Sequence, residues 1–175
     1  MRNPSAANKL SFAEWALAAE ASNSLEEKAA IYSKMTEYFR SPLPYNNVAV
    51  VRMRQAQRTL DEQSKEILWE EAQRLLAQAI KIEENPYSLH NLGQILALQG
   101  MYWESYKKLS EASAGIQNQE LIRANESLRG ALDILRGDYK LATLRFQHDL
   151  EDPKDYFNKG LAYFLVGEYG MATMA

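Results

Sequence analysis

Apolar residues recur along the chain with the three- and four-residue spacing of amphipathic helices, most clearly between residues 85 and 106. Leu89, Leu92 and Leu96 fall on one helical face in that segment, and Gly100 then ends the helix. Runs of alternating β-branched residues are nearly absent, as are hairpin dipeptides between apolar segments. The pattern therefore predicts a chain built almost entirely of helices.

A pair of glycines seven residues apart occurs three times, and a tyrosine follows each second glycine two residues later: Gly93, Gly100 and Tyr102; Gly130, Gly137 and Tyr139; Gly160, Gly167 and Tyr169. The first glycine lies in mid-helix, where glycine costs roughly 1 kcal/mol relative to alanine. We therefore expect a neighbouring backbone to approach it too closely for a side chain. The second glycine lies where the helix should end, in a left-handed conformation. The tyrosine then begins an antiparallel partner helix.

The same pattern divides the chain into successive helix pairs. We expect the first pair at about 11–21 and 25–39, the second after Pro42 and Pro44, the third at 86–113, the fourth at 121–149, and a fifth after Pro153. About eleven extra residues in the second pair, around 57–69, predict two longer helices. Because the chain stops one turn into the last helix, we expect it to be a fragment of a longer polypeptide.

Apolar spacing also predicts which side chains are buried. The expected core positions include Phe12, Trp15 and Ala19 in the first helix, Ala29, Tyr32 and Met35 in the second, Ala72, Leu76 and Ala79 in the fourth, and Leu128, Leu132 and Leu135 in the seventh.

Composition restricts the function. A hydrophobic content of 46% with 25% charged residues is that of a globular protein. The formal net charge of -3 gives no overall basic field, so we do not expect general nucleic-acid binding. The chain has no cysteine, which excludes disulfides, thiolate catalysis and cysteine-bound zinc. No apolar run reaches membrane-spanning length, so we expect no direct membrane insertion.

Catalytic chemistry finds little support in the sequence. His90 and His148 are the only histidines, and neither belongs to a His-x3-His or Glu-x2-His pair. A single surface histidine is more often incidental than a base or a metal ligand. No Gly-Lys-Ser/Thr follows the glycines, so they form no phosphate loop. We expect no cofactor, no metal site and no catalysis, since an enzyme would need its chemistry in sequence outside this chain.

The arrangement Leu89-x2-Leu92-Gly93-x2-Leu96-x3-Gly100-x-Tyr102, followed by Ser105, Leu109 and Ala112, resembles the tetratricopeptide repeat (TPR). Equivalent positions at Phe12, Tyr45, Leu89, Glu126 and Tyr156 are 33, 44, 37 and 30 residues apart. The resemblance covers residues 10–175 and implies an all-α fold of about four and a half divergent helix pairs. Antiparallel pairs would stack as one right-handed superhelical solenoid, after a disordered or tag-like segment at 1–9.

The segments 44–57 and 84–100 are also similar to repeat regions of outer-membrane and periplasmic proteins of Gram-negative bacteria, some of which carry a peptidoglycan-binding domain. This similarity favours a periplasmic or outer-membrane-associated protein over a cytoplasmic one and leaves the compartment open.

TPR arrays bind a peptide or partner protein in a concave groove lined by the first helix of each pair, so the resemblance implies a protein–protein interaction module. The register places in this groove Asn47, Arg54, Tyr87, His90, Asn91, Gln94 and Asn158, together with Asn46, Val50 and Met53. The three asparagines at 47, 91 and 158 match the family consensus. They either bind a ligand or bond a neighbouring helix, and we favour the scaffold role.

Two alternatives remain open. Arg54 and Arg58, one helical turn apart, either hold an acidic segment or a C-terminal carboxylate, or pair with nearby acids at positions 61, 62 and 66. The protein itself is either an interaction module or a structural spacer, which would self-associate into a homo-oligomer through its unfinished terminal repeat.

Overall fold

The computed structural model describes residues 10–147 and 152–174, and the regular secondary structure of these residues is helical throughout. The helices are α1 (Phe12–Ala21), α2 (Leu25–Tyr38), α3 (Pro42–Arg58), α4 (Glu62–Ile82), α5 (Pro86–Leu98), α6 (Tyr102–Ser113), α7 (Gln119–Arg136), α8 (Tyr139–Arg145), α9 (Pro153–Val166) and α10 (Tyr169–Ala172). The predicted segment 1–9 lies outside the described residues. The chain divides into two compact units, with the boundary between Ile95 and Leu96. The expectation of one continuous array stays a prediction.

Local signals set the helix ends. Ser11 caps α1 in a reciprocal arrangement with Glu14, and Ser24 caps α2 by accepting a hydrogen bond from the Glu27 backbone N–H. At the other end, the second glycine of each pair adopts a left-handed conformation, with φ of 79° at Gly100, 83° at Gly137 and 91° at Gly167. The prediction that these glycines close helices is confirmed.

Helix α3 is the centre of the first unit. Val48 and Val51 pack with Ala19, Ala29, Tyr32 and Met35 of the first helix pair. Ala49 and Met53 pack instead with Ala72 and Leu76 of α4 and with Ile95 of α5. Because the two sets lie on different faces of α3, this helix is covered on both sides.

The second helix pair is longer than the others, as predicted. Helix α3 has 17 residues and α4 has 21, whereas α5 has 13. A salt bridge of 3.0 Å joins Arg52 Nε of α3 to Glu71 Oε1 of α4, and Gln55 Nε2 donates to Glu26 Oε1 of α2.

The second unit consists of α6 to α10. Its core contains Ala142, Phe146 and Ala162, with Ile134 packed against them. Leu132 is buried and Leu128 half-buried, as expected, but Leu135 is 62% exposed, so its predicted burial is wrong. Residue 135 lies one position before the end of α7, which Gly137 closes in a left-handed conformation. Helix α8 ends at Arg145, and the predicted end at 149 lies outside the described residues.

Gly130 is buried in mid-helix against an aromatic ring, not against a backbone. A Cβ added to Gly130 would lie 2.6 Å from Cζ of Phe146, whose side chain is fully buried. For this glycine the predicted close approach is real, but its predicted origin is wrong. The ring of Phe146 occupies the space that a side chain would need.

Large apolar side chains are exposed on α9 and α10. Phe157 is 71% exposed, Phe164 57% and Tyr169 62%. They line an open hollow with Tyr156, Leu161 and Ala172. Self-association through this surface stays a prediction. In the described part of the chain, none of the helices combines the length and apolarity of a membrane span.

Candidate functional site on helices α3 and α5

Asn46 links α3 and α5, the first helices of the second and third helix pairs. Its side chain is buried, and its Oδ1 accepts hydrogen bonds from Ser88 Oγ at 3.2 Å and from Asn91 Nδ2 at 2.9 Å. Ser88 is fully buried. Because these bonds cross from α3 to α5, they fix the two helices side by side.

Each of these two helices carries a stripe of accessible side chains beside Asn46. On α3 the stripe is Leu43, Asn47, Val50 and Arg54, at offsets that lie on one helical face. On α5 the stripe is Tyr87, Asn91 and Gln94. Leu43 and Tyr87 occupy equivalent positions on the two helices. Leu43 is 45% exposed and Tyr87 is 47% exposed. We call this combined surface the α3/α5 strip.

The strip is bordered by an ordered polar cluster from the first helix pair. The hydroxyl of Tyr32 donates a 2.6 Å hydrogen bond to Glu20 Oε1, and Lys28 Nζ lies 3.3 Å from Glu20 Oε2. Burial, followed by the bond to Glu20, raises the pKa of Tyr32 to about 12, and a hydrogen bond with Asn47 acts in the opposite direction. The bond from Tyr32 lowers the pKa of Glu20 below its ordinary value.

Asn47 and Asn91 therefore both bond protein neighbours. Asn91 donates to Asn46, and Asn47 interacts with Tyr32 and accepts a long, 3.5 Å bond from Asn46 Nδ2. These contacts are of the kind that the scaffold alternative describes. A direct contact of either asparagine with a ligand stays a prediction.

Arg54 is exposed and forms no salt bridge with the described residues. The acids predicted to pair with Arg54 have other contacts. Asp61 caps α4 by accepting from the Ser64 backbone N–H, and Glu62 pairs with Lys65 at 2.9 Å. The electrostatic neighbour of Arg54 is instead Glu20, which it stabilises in the charged form at longer range. Among the described residues, Arg54 therefore makes no pair with Asp61, Glu62 or Glu66, and its side chain is accessible.

Three residues assigned to the groove are buried. His90 is 7% exposed, so the description of it as a surface histidine is wrong; burial lowers its pKa to about 4. Met53 belongs to the core with Leu76, and Asn46 is the link between α3 and α5. Burial removes all three from the accessible surface, so the prediction that they line a groove is wrong for them.

Asn158 lies half-buried on α9, in the second unit. Its predicted partner-binding role stays a prediction. Within the described ranges, no three side chains of histidine, cysteine, aspartate or glutamate group closely enough to hold a metal ion.

Sequence reasoning missed a buried ionic network in the second unit. Arg145 of α8 is bonded through all three guanidinium nitrogens: Nε to Asp133 Oδ2 and Nη1 to Glu126 Oε2, each at 2.6 Å, and Nη2 to the Tyr106 hydroxyl at 2.9 Å. Although burial opposes the charge, these partners raise the pKa of Arg145. Burial raises the pKa of Asp133, and Arg145 opposes that rise.

Two more arginines of α7 complete the network around the ring of Tyr106. Arg129 donates to Glu126 Oε1 at 2.8 Å, and its guanidinium carbon lies 5.5 Å from the ring centroid. Arg136 lies 4.5 Å from the Tyr106 centroid and 5.1 Å from that of Trp103. The one sequence signal for this network was the alternation of acids and arginines at 126, 129, 133 and 136 on one helical face.

The solved structures that resemble this fold include two TPR proteins. One is the C-terminal part of a TPR repeat-containing protein from Cytophaga hutchinsonii, 18% identical with a TM-score of 0.66; the match covers 93% of this chain and 60% of that one. The other is YrrB, described as a TPR protein with an unusual peptide-binding site, also 18% identical with a TM-score of 0.66, covering 91% of this chain and 78% of that one. No protein-family model and no curated protein matches the chain. The chain therefore has the all-α fold of TPR proteins, as the repeat pattern predicted.

Proposed function

We propose that this chain is a protein–protein interaction module that binds an extended peptide of a partner protein along the α3/α5 strip. The observation that carries the proposal is the pair of bonds from Ser88 and Asn91 to Asn46, which holds the two accessible stripes in one fixed arrangement. A preorganised surface loses less conformational entropy when a peptide binds to it.

The strip offers two kinds of contact. Leu43, Val50 and Tyr87 supply apolar and aromatic surface, and partly exposed tyrosines are common anchors in protein interfaces. Arg54 supplies an accessible guanidinium that suits a carboxylate of the peptide. The neighbouring cluster of Glu20, Tyr32 and Lys28 satisfies its own charges, so it leaves Arg54 as the dominant charge of the strip.

The amide groups of Gln94 and Asn91 extend the strip on α5. Asn91 uses its Nδ2 for Asn46, while its Oδ1 can accept a hydrogen bond from a peptide backbone N–H. YrrB, a neighbour of the same fold, is described as having a peptide-binding site. That likeness supports the class of partner and assigns no residue of this chain.

The proposal is tested by selecting peptides from a random display library on the purified protein and measuring their affinity by fluorescence anisotropy. We expect Tyr87→Ala and Arg54→Ala each to weaken binding by roughly tenfold or more, as truncation of central interface anchors does.

Matched controls are available on other helices. Tyr102 of α6 is 43% exposed, close to the value for Tyr87, and Arg74 is an exposed arginine of α4. We expect Tyr102→Ala and Arg74→Ala to leave the affinity unchanged. Selected peptides that bind all four variants as well as the wild type would exclude the α3/α5 strip as the binding surface.

A further inference from the structure

In the arginine network of the second unit, Arg136 has longer contacts with its acidic partners than Arg129 and Arg145 have with theirs. Arg145 is bonded at all three nitrogens, and Arg129 is bonded to Glu126 and has a side chain only 13% exposed. Among the described residues, Arg136 forms two longer ion pairs, with Asp133 Oδ1 at 4.0 Å and with Asp138 Oδ2 at 3.4 Å. Its side chain is 29% exposed, against 13% for Arg129 and 10% for Arg145.

Two aromatic rings hold this guanidinium in place. Its carbon lies 4.5 Å from the Tyr106 ring and 5.1 Å from the Trp103 ring, within the range of cation–π contacts. A planar guanidinium fixed in this way presents its donors in a defined direction without first losing side-chain freedom. Trp103 is 66% exposed, so much of the indole remains open beside the fixed cation.

Charge determines what such a surface accepts. The network brings the positive charges of Arg129, Arg136 and Arg145 against the two negative charges of Glu126 and Asp133. The remaining positive charge is balanced at the rim by Asp138, whose side chain is 50% exposed. An exposed pair at 3.4 Å contributes little stability, so another carboxylate can replace Asp138 at Arg136.

We propose that Arg136 and Trp103 form a second docking surface, which binds a peptide segment of a protein partner through a carboxylate next to an apolar side chain. The Asp or Glu side chain of the peptide takes the place of Asp138 at the edge of Arg136, and the apolar side chain packs on the open indole. A single carboxylate fits better than a phosphate because only one guanidinium is accessible. Asp138 at the rim also repels a more highly charged anion.

The test uses two matched pools of labelled peptides, identical except that the central residue is Glu in one pool and Gln in the other. We expect the wild-type protein to retain the Glu pool in preference to the Gln pool and to lose this preference in high salt. In a 1H–15N spectrum the indole N–H signal of Trp103 should shift on addition of the Glu pool, whereas those of Trp15 and Trp69 should not.

Three variants make the test specific. Arg136→Lys keeps the charge but loses the planar fork, and Trp103→Ala removes the apolar contact; we expect each to weaken binding by roughly tenfold. Asp138 makes no capping bond to α8, so Asp138→Asn should fold normally and bind the Glu pool a few-fold more tightly. Tyr102→Ala, on the same helix as Trp103, and Arg58→Lys are the controls and should bind as the wild type does.

Several results would overturn the proposal. Equal retention of the two pools, or an affinity for the Glu pool that is unchanged in Arg136→Lys, would exclude a carboxylate at Arg136. Tighter binding of single-stranded oligouridylate than of the Glu pool would assign the surface to nucleic acid. A concentration-dependent dimer in sedimentation velocity that disappears in Trp103→Ala would assign it to a second copy of this chain.

Discussion

Asn91 on α5 donates a 2.9 Å hydrogen bond to the buried Oδ1 of Asn46 on α3. This bond makes Asn91 part of the scaffold, and it distinguishes two roles that the sequence leaves open. If Asn91 mainly positions helices, its replacement should reduce stability, and this reduction should depend on Asn46.

We expect Asn91→Ala to lower the free energy of unfolding by about 1 kcal/mol, and Asn46→Ala by about 2 kcal/mol because it leaves both Ser88 and Asn91 without their acceptor. In a double-mutant cycle measured by urea unfolding, the double mutant should lose less stability than the sum of the two single losses. Fully additive losses would mean that the bond contributes nothing to stability.

Gly130→Ala should destabilise the protein by about 1–3 kcal/mol, although alanine is the better helix former. The added methyl group would lie 2.6 Å from a ring carbon of Phe146, which has no room to move because it is fully buried. The same substitution in a Phe146→Leu background should cost less, since the smaller side chain can yield. A Gly130→Ala variant more stable than the wild type would contradict this packing.

His90 should make stability fall as the pH falls from about 6.5 towards 4. Its pKa is 6.5 in the absence of burial and about 4 in the fold, so the unfolded chain takes up the proton first. The stabilisation is complete above pH 6.5, and on the order of 3 kcal/mol of it is lost across this window.

The free energy of unfolding of the wild type, measured at pH 7 and pH 5, should therefore differ by more than that of His90→Gln. Equal pH dependence in the wild type and His90→Gln would show that His90 is not the group responsible.

Arg145→Met should cost about 3–5 kcal/mol, because it leaves the buried carboxylate of Asp133 and that of Glu126 without their shared cation. Arg145→Lys should recover only part of this loss, since an ammonium cannot reproduce three bonds in one plane. The exposed pair of Lys34 and Glu37 is the control, and Lys34→Met should leave the thermal midpoint unchanged. An equally unchanged thermal midpoint in Arg145→Met would mean that the bonds of this network are not formed in solution.

The parts of this structure that the sequence predicts are those that depend on neighbours along the chain. Helical periodicity and the left-handed glycines at 100, 137 and 167 act within a few residues, and both were predicted. The lengthening of α3 and α4 also follows from a local absence of helix breakers.

The parts that it does not predict join residues far apart in sequence. Arg145 and Tyr106 are 39 residues apart, and Asn91 and Asn46 are 45 apart. The register predicted His90 as a groove residue, but it is buried, because its burial depends on how other parts of the chain pack around it. Spacing within one helix carries no information about such contacts.

The most direct test of the proposed function is a 1H–15N spectrum of the protein titrated with a peptide selected from the display library. We predict that the side-chain amide signals of Asn47, Asn91 and Gln94 and the backbone signals of the α3/α5 strip shift in a saturable manner, and that Arg54→Ala abolishes these shifts. Saturable shifts confined to helices outside α3 and α5, or unchanged in Arg54→Ala, would contradict the account.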